Sequence, residues 1–115
     1  MKSVSNTMTF QEHLKRILSA RDKIRTGVFE MSNAIVEAVD QLGEQTQDEL
    51  AMRLNMSKGT MSKWIAIGRH EILKSNMSKC PNTFGALYSL TTLDKQLQLN
   101  YGEDKGRKKF EEIFK

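Results

Sequence analysis

Of the 115 residues only Cys80 is a cysteine and only Pro81 a proline. A single thiol excludes an internal disulfide and suits a reducing cytoplasm, which is the expected location. One proline and scattered glycines give little of the punctuation that strand-and-turn folds need, so the expected class is all-α. No apolar run approaches the roughly 20 residues that cross a bilayer. The opening MKSVSNTMTF lacks the apolar stretch of a signal peptide, so neither leader nor membrane anchor is expected. Histidine is scarce too. His13, His70 and Cys80 are scattered, where a zinc site ordinarily takes about four closely spaced ligands. There is no glycine-rich phosphate loop and no group of acids suited to catalytic Mg²⁺. A Cys–His nucleophile pair is conceivable in principle, but a Cys just before Pro reads more simply as a small buried residue. The expectation is therefore a non-enzyme without metal or other cofactor.

The informative stretch is residues 47–66, QDELAMRLNMSKGTMSKWIA. Leu50, Ala51 and Leu54 form an apolar stripe at helical spacing, and Met61, Trp64 and Ile65 form another. Met56 plugs the turn between them, and Ala51 stands where two crossing helices approach most closely. Thr46 and Glu49 have the spacing of a capping box, and Ser57 suits the N-cap of the second helix. From Lys58 to Arg69 there are three cations, Lys58, Lys63 and Arg69, and no acid. The small Gly59, Thr60 and Ser62 leave room for close approach, so this face suits a polyanion.

Charge is also segregated along the chain. Residues 53–79 hold six bases (Arg53, Lys58, Lys63, Arg69, Lys74, Lys79) against Glu71, and residues 37–52 hold five acids (Glu37, Asp40, Glu44, Asp48, Glu49) and no base. With a net charge of only +4, this segregation, more than the total, points to a phosphate-facing surface.

The segment TQDELAMRLNMSKGTMSKWIAIGR resembles the helix-turn-helix of phage repressors and of plasmid partition proteins of the ParB type. The likeness rests on Gln47, Ala51, Met56, Met61 and Trp64, and it departs at Asn55, where most such motifs carry a glycine in left-handed conformation. The resemblance implies double-stranded DNA as the partner. It implies Gln47 at a phosphate, and Ser57, Lys58, Gly59, Thr60, Ser62 and Lys63 presented to the major groove; Arg69 joins them as a further cation.

Ahead of the motif, Phe10, Leu14, Ile17, Ile24, Val28, Met31, Ile35, Ala38 and Leu42 recur at alternating steps of four and three, broken only at Arg21. Thr9 and Glu12 form a second capping box. Two geometries fit: one continuous helix zipped to a partner, or a break at Thr26-Gly27 that separates an arm from a core helix. An arm folded back on its own chain is the plain alternative to dimerisation. After the motif, a short helix from Glu71 to about Asn76 is expected. Another enters through Cys80-Pro81-Asn82, with a change of face after Thr91-Thr92, and a last one carries Phe110, Ile113 and Phe114. The expected organisation is thus an N-terminal arm over 1–27, a trihelical helix-turn-helix core over 28–79 and a helical cover over 80–115.

Taken together, the residues are expected to form a sequence-specific DNA-binding regulator, a homodimeric repressor of a phage, plasmid or other mobile element acting on an inverted-repeat operator. Two alternatives stand beside it. One is a partition or accessory adaptor that brings another protein to DNA, and the other is the specificity module of a separate nuclease or recombinase.

Overall fold

Local hydrogen bonding marks where several of the helices begin. The computed structural model describes residues 8–21, 27–81 and 83–115, and every regular element among them is helical. In chain order these are α1 (Phe10–Arg21), α2 (Gly27–Leu42), α3 (Thr46–Arg53), α4 (Lys58–Gly68), α5 (Glu71–Ser75), α6 (Phe84–Tyr101) and α7 (Glu103–Glu112), with a 3-10 turn at Met77–Lys79. Ile24, Thr26 and Asn82, which figured in the sequence reading, lie outside the described residues.

The Thr9–Glu12 capping box forms. The Thr9 N–H donates to Glu12 Oε1 at 2.9 Å, and the Glu12 N–H donates to Thr9 Oγ1 at 3.2 Å. The α1 helix then runs antiparallel to α2. The Met8 N–H and the His13 ring both bond Gln41 Oε1, and Arg16 pairs with Glu37. Ile17 and Ala20 are buried with Met31, Ala34, Ile35 and Ala38 of α2. Of the two geometries left open by the sequence, the chain takes the one with an arm separate from α2, and that arm folds back on its own chain, because α2 fills its apolar side.

The start of α3 differs from the expected Thr46–Glu49 capping box. Thr46 is buried inside the helix, Gln45 precedes it in helical conformation without a side-chain cap, and Glu49 faces Arg53 instead. The chain enters through Gly43 at φ 101°, whose carbonyl accepts from the Thr46 N–H at 3.1 Å. That tight turn does the work of a cap. At the other end Asn55 takes φ 57°, the left-handed conformation expected there. Met56 packs against the core below it. Ser57 caps α4, its Oγ accepting from the Thr60 N–H at 3.1 Å.

Pro81 lies outside α6, whose N-cap is Thr83 accepting from the Ala86 N–H. Thr91-Thr92, after which the apolar residues are expected to change face, lies within this one helix. Both hydroxyls donate back to the Tyr88 carbonyl, at 2.7 and 3.3 Å, and the helix continues to Tyr101. Gly102 at φ 91° then reverses the chain into α7, which packs back on α6 so closely that a Cβ on Gly106 would lie 2.5 Å from the Gln98 backbone. Phe110 and Phe114 are buried and Ile113 is exposed, so only two of the three apolar tail residues reach the core.

Two apolar clusters share α2 and α4. The first joins α1, α2, α3 and Met61 of α4; the second joins Phe29 of α2, Ile67 of α4, Leu73, Leu87, Phe110 and Phe114. Each fully buried side chain of this size stabilises by about 1.5–3 kcal/mol. Trp64 stacks on Phe84 at 4.5 Å between the clusters.

Two outcomes test this architecture. Because Ala51 is only 4% exposed in the first cluster, Ala51→Trp is expected to abolish the cooperative thermal transition seen by circular dichroism. At Gly68, a Cβ would stand 2.6 Å from the Ser32 carbonyl oxygen of α2. Gly68→Ala is therefore expected to lower stability by about 1–3 kcal/mol in chemical denaturation. A pH effect follows from the first cap. The Thr9 backbone N–H, helped by its side chain, holds the Glu12 carboxyl below its ordinary value of 4.5. A carboxyl lowered in this way stabilises the fold above the ordinary value and loses that contribution as pH falls through the lowered one. Nuclear magnetic resonance titration should place the Glu12 midpoint below 4.5, with Thr9 amide exchange quickening over the same acidic interval; a midpoint at or above 4.5 would contradict the cap.

Candidate nucleic-acid interface

One arc of α4 is used by neither cluster. Met61, Ile67 and Gly68 are buried, and Trp64, Ile65 and Ala66 are half-buried, while Lys58, Gly59, Ser62 and Lys63 are exposed. At 3.6 residues per turn these four side chains share one side of the helix. Its first turn holds no acid. Gly59 is not demanded by packing, since a Cβ there would meet only Ser57 Oγ at 3.9 Å. Glycine in a helix costs up to about 1 kcal/mol relative to alanine. The fold gains nothing from it at this position, so the bare backbone is a surface property.

The other residues read from the sequence divide. The Ser57 hydroxyl caps α4 and also donates to Thr60 Oγ1 at 3.0 Å, so both hydroxyls are engaged in holding the first turn. Gln47 is half-buried on the first turn of α3. Arg69 is not brought to the exposed arc as a free cation. It follows the last residue of α4, where its guanidinium donates to Asp40 Oδ1 of α2 at 2.9 Å.

The segregation of charge along the chain is reduced in space, because three acids of 37–49 lie beside three of the six bases. Arg69 meets Asp40, Lys58 lies 3.7 Å from Asp48, and Arg53 lies 3.7 Å from Glu49. Each pair is solvent-exposed on both sides, so each is worth no more than about 1 kcal/mol and yields readily to a competing anion. Lys63 takes part in none of these pairs. Its Nζ instead lies 5.2 Å from the centroid of the Tyr88 ring on α6. Nothing in the sequence signals that contact, because it depends on how α6 docks on α4.

His70 carries a polar feature that sequence reading missed. Its Nδ1 accepts from the Leu73 N–H at 3.4 Å, capping α5, which leaves Nε2–H to donate to Asp94 Oδ2 at 2.7 Å. Asp94 is 4% exposed, and its other oxygen accepts from Gln98 at 3.1 Å. Both ring nitrogens are thus engaged in holding α5 against α6. His13 bonds Gln41, and the Cys80 thiol, its pKa raised by burial, points to the Leu73 carbonyl. Neither histidine therefore pairs with that thiol as a base. Among the described residues no group of three or more His, Cys, Asp or Glu is placed to hold a metal ion, and no helix is long and apolar enough to cross a membrane.

Comparison with protein-family models, with curated proteins and with solved structures finds no match to this chain.

The His70–Asp94 bond makes its own prediction. Asp94→Ala removes the acceptor of a buried N–H, so unfolding should become easier by about 1–3 kcal/mol. Asp94→Asn, which keeps an oxygen for Nε2–H, should recover most of that loss in the same urea titration.

Proposed function

We propose that α3, the turn at Leu54–Ser57 and α4 act as a helix-turn-helix that binds double-stranded DNA, with the exposed arc of α4 entering the major groove. The observation that carries this reading is the arc itself: Lys58 and Lys63, small Gly59 and Ser62 between them, no acid in the first turn, and a glycine without a packing role. A helix that lies in a groove needs side chains short enough to let its backbone approach and cations placed for phosphate or guanine acceptors. The weak pair of Lys58 with Asp48 is of the kind a phosphate displaces. The resemblance of 46–69 to repressor and partition-protein motifs supports the same reading, as does the left-handed Asn55 at the turn.

In biological terms the proposal is a transcriptional repressor of a mobile element that binds an inverted repeat as a homodimer and blocks promoter access. A two-fold dimer doubles the few base pairs that one recognition helix can read. Its contact surface would not be the apolar side of α1, which packs on α2. The DNA-contacting set narrows to Lys58, Gly59, Ser62 and Lys63, with Gln47 at its edge and Arg69 outside it.

The test is selection of duplexes from a random-sequence library by the purified chain at graded salt. Enrichment of an inverted repeat is the expected result, and its half-site spacing would report the dimer geometry. Lys63→Ala should weaken binding to the selected duplex and reduce its salt dependence by about one counterion if the contact is to phosphate. Gly59→Glu should abolish selection while keeping the wild-type melting midpoint. Retention without an enriched sequence, lost steeply with salt, would instead leave only a phosphate-holding surface and favour the adaptor role. Unchanged binding in both variants would remove α4 as the reading face.

A further inference from the structure

An exposed lysine that contacts a phosphate must give up rotamer freedom, and a neighbouring carboxylate that fixes it beforehand also neutralises it. An aromatic face does the first without the second. The Lys63 ammonium lies 5.2 Å from the Tyr88 centroid, within the roughly 6 Å over which a ring face attracts a cation. The ring takes up none of the charge, and the three N–H donors remain able to reach an oxygen acceptor. Among the described residues no acid pairs with Lys63.

Tyr88 is itself well held. It packs against the second cluster, and its carbonyl accepts the Thr91 and Thr92 hydroxyls. One turn earlier, the Trp64–Phe84 stack pins the beginning of α6 to α4. Three residues before Tyr88 stands Gly85, exposed, where a Cβ would meet nothing within 4 Å. Like Gly59, it is a helical glycine for which packing gives no reason. Gly59 lies one turn before Lys63 on α4, and Gly85 one turn before Tyr88 on α6. A bare position thus precedes each member of the cation–ring pair.

We infer that α6 belongs to the same DNA-facing surface as α4, with Tyr88 a positioning residue that holds the Lys63 ammonium ready for a backbone phosphate. This rests on the DNA reading of α4. It adds a second helix to the interface and gives Tyr88 a role that its place in a structural cover would not require.

The experiment measures affinity for the selected duplex by fluorescence anisotropy at graded salt, using the full chain and the variants Tyr88→Phe, Tyr88→Leu, Lys63→Ala, the Lys63→Ala/Tyr88→Leu double variant and Gly85→Glu. Leucine keeps the apolar contact and removes the ring face, and phenylalanine keeps both. The expected result is a two- to fivefold loss for Tyr88→Leu, the scale of an exposed cation–ring contact at about 0.5–1 kcal/mol. Tyr88→Phe should bind like wild type, and the double variant no more weakly than Lys63→Ala alone. Gly85→Glu places a carboxylate where the helix dipole favours it, so it should weaken binding with an unchanged or raised melting midpoint. The positioning role is overturned if Tyr88→Leu binds like wild type, if its loss persists in the Lys63→Ala background, or if Tyr88→Phe loses as much. Undiminished binding by Gly85→Glu removes α6 from the surface. If the wild-type chain retains no duplex at all, the DNA reading itself fails, and this inference fails with it.

Discussion

The approach of α4 to α2 at Gly68 is the constraint on which the rest depends. A side chain there would collide with the Ser32 carbonyl oxygen and with Val36, so only glycine lets the two helices close. That closure buries Met61 in one cluster and Ile67 in the other, and α2 contributes to both through Ile35 and Phe29. It also settles which side of α4 is left over. The exposed arc is what remains once two cores and a close helix contact have taken the rest of the circumference.

Electrostatics in this chain works by proximity after folding and not by blocks along the sequence. The acids of α2 and α3 come to lie beside Arg53, Lys58 and Arg69. Exposed pairs of this kind contribute little to stability but decide which cations are free. Lys63, which pairs with none of those acids, lies against an aromatic face. The number of unpaired cations near α4 is consequently smaller than the count of bases in 53–79 implies.

Features set by neighbouring residues were legible in the sequence. The all-helical class, the cap at Ser57, the Thr9–Glu12 box, the left-handed Asn55 and the buried Ala51 each follow from side chains within a few positions of one another. Features set by packing were not. Thr46–Glu49 has the spacing of a capping box, yet Gly43 brings the chain in through a turn that leaves Thr46 inside the helix. Heptad spacing in α1 reports an apolar side without naming what covers it, and α2 covers it here. The change of apolar face at Thr91-Thr92 does not say whether one helix or two carries it, and bonds from both hydroxyls to the Tyr88 carbonyl are compatible with a continuous helix. On the candidate surface, Lys58, Gly59, Ser62 and Lys63 were readable from composition and spacing, whereas the tether of Arg69 to Asp40 and the ring beneath Lys63 arise only when distant segments meet.

The exposed arc of α4 has one further consequence. Lys58, Gly59 and Ser62 contribute to neither apolar cluster, and Ser57 caps the helix through an atom that does not depend on which residues follow at those three positions. Changes there leave the cores, the close contact at Gly68 and the start of the helix intact. A lineage carrying this scaffold is therefore free to exchange the letters on that side of the helix without having to refold around each new choice.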